Sequence, residues 1–285
     1  MFARLLTTAA VLFVTPTISF ADDLYGATSG WSGAVDGSLA ISERTDTDGS
    51  HSLEGSPFFG FSVGGYVTTQ IPSGHTLTFD GRFTEYGFGS YDYLIPKGSG
   101  ALGVHLGTHV MRDTFVGGFA AVGVFDGHDH DYMPGYIVGV EGTAPIGTAT
   151  GFGQLGYGHL IGEPGGNEFK GPIGRIGAGF DLSNSMSLVV DAEGGYSFDC
   201  FVDCGNEPGY YGSIGADLER QFADGFAAFV GVEFLAIHDE DDHDTGTEIN
   251  AHIGISKSFG GARGQNLLAT PMGAFKAAGW MHPLD

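Results

Sequence analysis

Two stretches of this 285-residue chain carry residue types that bind metal ions. One is Asp126-Gly127-His128-Asp129-His130-Asp131. The other is His238-Asp239-Glu240-Asp241-Asp242-His243-Asp244. Imidazole combined with carboxylate suits zinc and related ions, and carboxylates alone suit calcium. Neither stretch has the spacing of a calcium-binding EF-hand loop or of a His-Glu-x-x-His helix. His128, Asp129, His130, Asp131, His238, Asp239, Asp241 and His243 are therefore candidate ligands for a divalent cation at exposed connections. The competing reading is a solvated anionic surface. No other cofactor is implied.

A second set of ionisable residues lies within segments that alternate in polarity, where period two puts them on one face. These are Asp36, Asp80, Arg82, His105, His109, Glu141, Arg175, Asp191, Glu193, Asp217, Glu219, Glu233 and His252. Acids outnumber arginines eight to two in this set. If the face lines a bore, rings of Asp and Glu favour cations. The bland reading is a closed interior in which Arg82 and Arg175 pair with neighbouring acids. Cys200 and Cys204 share one connection, and a disulfide that stiffens it is expected in an oxidising compartment.

Classical enzyme constellations are missing. Asp191 and Glu193 share a strand face at i,i+2, but no shaped substrate site accompanies them. His51-Ser52 is an adjacent pair, and no His-x-Ser occurs. His159 lies on a segment whose two faces the sequence does not distinguish. The many G-x-G matches reflect composition, because Gly fills 51 positions. The reading is of a protein that is not an enzyme. A formal charge of −23 disfavours nucleic acid, whose phosphates need a basic face.

The elements that hold these residues are strands. Hydrophobic residues make up 42% of the chain, so it has apolar surface to bury, yet their dominant period from Trp31 to Phe259 is two. In Phe226–Ile237, for example, Phe226, Ala228, Val230, Val232, Phe234 and Ala236 share one face. Twelve segments follow this rule, near 31–43, 57–70, 75–86, 99–110, 114–125, 134–144, 150–161, 170–181, 186–198, 209–221, 226–237 and 247–259. At 11 to 14 residues each, they match strands that cross a tilted bilayer span of ~9–11 residues, and exceed the usual ~5–6 of soluble sandwiches. Short connections such as Pro72-Ser73-Gly74 and Asp224-Gly225 alternate with long ones. The six long connections hold half of the 34 acids.

Ahead of the strands, residues 1–21 read as a cleaved secretory signal peptide, with Arg4, an apolar run and Ser19-Phe20-Ala21 before the cut. Beyond residue 21 no apolar run is long enough for a membrane helix.

From residue 22 to 260 the chain resembles a bacterial outer-membrane β-barrel protein of the small porin-like class. The strand pattern and the aromatic-ended last strand, His252-Ile253-Gly254-Ile255-Ser256-Lys257-Ser258-Phe259, carry the resemblance. It implies an all-β, antiparallel up-and-down transmembrane barrel of about 12 strands, with eight or ten as alternatives, set in the outer membrane of a Gram-negative cell. It also implies contact with membrane lipid, with lipopolysaccharide (whose phosphates divalent ions would bridge to the acidic connections) and with the barrel assembly machinery. Rings near strand ends fit interfacial girdles, among them Trp31, Phe58, Phe59, Tyr136, Tyr196, Tyr210, Tyr211, Phe222 and Phe259.

Such barrels commonly stop at the terminal aromatic residue. This chain continues for 26 residues, and 261–285 are expected to form a periplasmic C-terminal tail. Inward glycines such as Gly103, Gly107, Gly139, Gly156 and Gly231 carry no side chain to fill the bore, which favours an open narrow path over a plugged one. The function expected from these features is passive diffusion of small polar or cationic solutes. The alternative is a non-conducting surface barrel whose acidic His/Asp connections bind divalent metal, lipopolysaccharide or another cell.

Overall fold

A computed structural model describes residues 30–46, 57–86, 98–111, 113–126, 132–161, 169–198, 208–239, 245–260 and 266–278. The signal-peptide reading, Cys200, Cys204, His128, Asp129, His130, Asp131, Asp241 and His243 lie outside them.

The twelve predicted segments are twelve strands. They are β1 (Trp31–Asp46), β2 (Phe58–Gln70), β3 (His75–Tyr86), β4 (Gly98–Met111), β5 (Thr114–Asp126) and β6 (Tyr132–Ile146), followed by β7 (Ala149–Leu160), β8 (Phe169–Ser183), β9 (Met186–Ser197), β10 (Gly209–Gln221), β11 (Phe226–Asp239) and β12 (Thr245–Phe259). Each pairs antiparallel with its sequence neighbours, and β1 pairs with β12 from Gly33 opposite Phe259 to Asp46 opposite Gly246. The sheet is thus a closed barrel. Closure removes the edge strands and gives each strand a partner on both sides, as a hydrocarbon environment requires of backbone N–H and C=O groups.

The turns show why short connections suffice. Between β10 and β11, Asp224 and Gly225 take φ of 61° and 73°. Positive φ at both central positions suits the right-handed twist of the flanking strands, and Asp-Gly is a sequence that accepts it. Both chain ends of the barrel, Trp31 and Phe259, lie at this turn end, and the strand ends that flank the long connections lie at the other.

Side chains alternate as the period requires. Val35, Leu39, Leu102, Val104, Val138, Leu155, Val230 and Ile253 are exposed on the outer face. Exposed apolar side chains of this kind occur on all twelve strands and form the apolar belt that a bilayer covers. The interior has two halves. From mid-depth to the turn end it is polar and charged. Toward the loop end an apolar cluster forms from inward residues including Phe119, Phe125, Ile137, Leu160, Phe169, Ile173, Tyr211, Leu235 and Ile237.

Two corrections to the aromatic girdle follow. Phe58 and Tyr211 are 2% and 3% exposed and point into the bore. Both sit at strand starts, where sequence alone does not separate an inward ring from an interfacial one. His159 is an outward residue, edge-on to the Tyr136 ring at 5.6 Å.

The largest difference concerns the segment after the barrel. Residues 266–272 run without regular structure against inward side chains, and Gly273–Ala278 form a single short helix, α1. Helix α1 contacts β4, β5 and β7–β10 from within the barrel. The described part of the expected periplasmic tail is therefore lodged in the bore, rising from the turn end toward the loop end. The physical reason is legible in its residues: Leu267, Leu268, Met272 and Phe275 are apolar, and the inner apolar cluster gives them cover.

Candidate functional site: the occupied bore

Polar side chains on the inner wall meet in pairs and short chains. From β3, Arg82 donates to Asp36 of β1 at 2.7 Å and to the Ser62 hydroxyl of β2 at 3.0 Å. From β8, Arg175 donates through Nε to Asp191 of β9 at 2.8 Å, and its guanidinium carbon lies 5.0 Å from the centre of the Phe152 ring. On β12, His252 faces Asp217 of β10 at 2.6 Å. The Tyr211 hydroxyl donates to Glu193 at 2.9 Å.

His105 of β4 sits between two acids. Its Nδ1 lies 3.0 and 2.9 Å from the two Glu141 oxygens, and its Nε2 lies 3.2 Å from Asp80 Oδ1. The ring stacks on Phe119 at 5.8 Å. All three polar side chains are buried.

The C-terminal segment is held by this same wall. Arg175 Nη1 donates to the carbonyls of Leu267 and Ala269, both at 3.3 Å. Gln154 Nε2 donates to the Leu268 carbonyl at 3.3 Å and to Glu141 at 3.1 Å. The Thr270 N–H donates to Asp80 Oδ2 at 2.6 Å, and its hydroxyl donates to Asp80 Oδ1 at 2.8 Å. Further along, Lys276 pairs with Glu233. Ala274, Phe275 and Ala277 are fully buried in the apolar cluster.

Two inward glycines have a different use from the one expected. A Cβ on Gly103 would collide with Thr270 Oγ1 and Asp80 Oδ1, and a Cβ on Gly123 would lie 2.5 Å from the Phe275 ring. These positions make room for the segment.

Beside the segment a cavity of about 270 Å³ persists. Of the predicted inward residues, Asp36, Asp80, Arg82, Arg175, Asp191, Glu193, Asp217, Glu219, Glu233 and His252 all face it. Glu141 and His105 lie deeper in the wall behind the segment. His109 does not join them: it is exposed near the turn end of β4, edge-on to Phe115 at 5.6 Å. Glu219 is 3% exposed, and among the described residues its one hydrogen bond is from the Gln221 amide at 3.4 Å.

The charge balance in the cavity has shifted from the sequence expectation, because the segment supplies Lys276 as a third base. Gln154, Ser62 and the segment itself fall outside the set of ionisable strand residues, and Tyr211 reads from sequence as a girdle ring. The signal for the segment is the apolar character of 267–275, which a solvated tail has no use for.

Among the described residues no cluster of three or more His, Cys, Asp or Glu side chains is arranged to hold a metal ion. His238 is a strand residue whose ring lies 4.9 Å from that of Tyr210, and Asp239 ends β11 beside it.

This is the fold of a bacterial outer-membrane β-barrel of the porin-like class. An outer-membrane channel from Pseudomonas putida F1 is similar with a TM-score of 0.55 and 10% identity, covering 82% of this chain and 98% of that one. The translocator domain of the autotransporter NalP from Neisseria meningitidis aligns with a TM-score of 0.49 and 14% identity, over 89% and 97% of the two chains. At such identities the likeness is one of fold. No family model and no curated protein matches the chain.

Proposed function

We propose that the protein is an outer-membrane channel for small polar or cationic solutes, whose bore is occupied at rest by residues 266–278. The observation that supports this reading most is the acid-rich cavity running beside the segment. It is lined by seven of the eight predicted inward acids against Arg82, Arg175 and Lys276. Carboxylates in a confined, partly dehydrated space concentrate cations and repel anions.

Single-channel recording of the refolded protein under a salt gradient tests it. The expected result is discrete steps with a cation-favouring reversal potential, and larger steps from a chain ending at Gly260. Silence from both, once each is shown to be folded by its β-sheet signal, overturns the channel.

A second reading is favoured by one specific observation, the depth to which Phe275 and its neighbours are buried. On that reading the barrel is permanently closed and its acidic connections do the binding, to divalent metal or lipopolysaccharide. It predicts the silent outcome, together with metal uptake that is lost when 127–131 and 240–244 are replaced by Gly-Ser.

A further inference from the structure

We propose that His105 is the positioning residue of a latch in the bore, a site that reads the main chain of residues 267–270 and holds the C-terminal segment in place. The inference rests on the channel reading only for its consequence, conduction. The latch itself stands on the geometry of the wall.

Four consecutive residues of the segment are gripped through main-chain atoms. Arg175 takes the carbonyls of Leu267 and Ala269, Gln154 takes that of Leu268, and Asp80 takes the N–H of Thr270. One side-chain hydroxyl, that of Thr270, adds to them. The segment's side chains contribute little else to this part of the grip. It is a local, polar hold, distinct from the apolar anchor that α1 provides further up the bore.

His105 touches none of these four residues, yet it orders two of the three gripping side chains. Its ring has carboxylate oxygens at both nitrogens, Glu141 at one and Asp80 at the other. Only an imidazolium donates from both nitrogens at once. In that form it neutralises part of the charge of two buried acids and fixes their rotamers. Asp80 then presents both oxygens to Thr270, and Glu141 anchors the Gln154 amide that reaches Leu268. The groups facing the ring are Asp80 from β3, Phe119 from β5, Glu141 from β6 and, behind Glu141, Gln154 from β7. Removing the ring leaves Asp80 and Glu141 without the cation between them, and a buried carboxylate that loses its partner turns away or takes up a proton.

The test is hydrogen–deuterium exchange of the full chain in detergent micelles, read peptide by peptide, for wild type, His105→Gln and Asp80→Asn. Loss of charge-assisted hydrogen bonds raises the population of the released stretch, so exchange over 266–270 is expected to rise by about tenfold or more in both variants. Exchange in the β3–β7 peptides should not change. A merely structural role for His105 gives the opposite pattern, with faster exchange in β3–β6 and an unchanged tail, and that result overturns the latch. So does unchanged exchange everywhere in a His105→Gln protein that migrates as a folded barrel. Asp80→Asn contacts the segment directly and serves if His105→Gln fails to fold.

Bilayer recording of the same variants separates the two readings. A released tail without conductance removes the channel and keeps the latch. Raised conductance with a protected tail removes the latch and keeps the channel.

Discussion

Gly103 sits where Asp80 and Thr270 meet, and the room it leaves is the room they use. An alanine there would put a methyl group into space already held by two hydrogen-bonded oxygens. Overpacking of that kind costs about 1–3 kcal/mol. The barrel has no alternative for β4, whose neighbours are fixed on both sides, whereas the segment can leave. Gly103→Ala is therefore expected to eject residues 266–270 without unfolding the barrel. The check is faster hydrogen–deuterium exchange over 266–270 with unchanged thermal unfolding of the β-sheet signal. Residue-level reading from sequence placed this glycine on the inner face correctly and gave it the wrong purpose. A missing side chain looks the same whether the space is left for water or for another part of the chain.

At the scale of elements, the strands were legible almost to the residue. Their signal is local: side chains alternate because one face meets lipid and the other the bore, so polarity itself records the register. The short turns carry their own chemistry, as at Asp224-Gly225. The tail was not legible by the same means. A run of six helical residues has too little length to show a period, and its partners are 43 to 190 positions away in sequence. What anchors it is the Phe275 ring, 0% exposed among Phe125, Ile137, Phe169, Tyr211 and their neighbours. Truncation of a buried Phe costs about 3–5 kcal/mol where the surroundings do not collapse, and a barrel wall cannot collapse far. Phe275→Ala should therefore free α1 while the polar latch below still holds. Exchange over 273–278 is expected to rise well above that over 267–270, and a uniform rise across both would show that the segment moves as one body.

For the molecule as a whole, the question is which charges a permeating ion would meet. Several inward acids are already matched by a permanent base: Asp36 by Arg82, Asp191 by Arg175 and Glu233 by Lys276. Pairs of this kind present little net field to a passing ion. Glu219 differs, since a single amide serves it and no base faces it among the described residues. With Asp217 two positions along the same face of β10, it is the place on the wall where negative charge stands least compensated. Releasing the tail withdraws Lys276 and so adds Glu233 to that uncompensated set. Three outcomes follow for reversal potentials in a salt gradient. Glu219→Gln should lower the cation preference of the full chain. Ending the chain at Gly260 should raise it as well as the conductance. Arg82→Ala, which frees Asp36, should shift preference in the same direction as truncation with a smaller change in conductance. If Glu219→Gln leaves the reversal potential where it was while truncation moves it, selectivity is set by Glu233 and its neighbours higher in the bore, and the acidic wall near the turn end serves only to hold the barrel's shape.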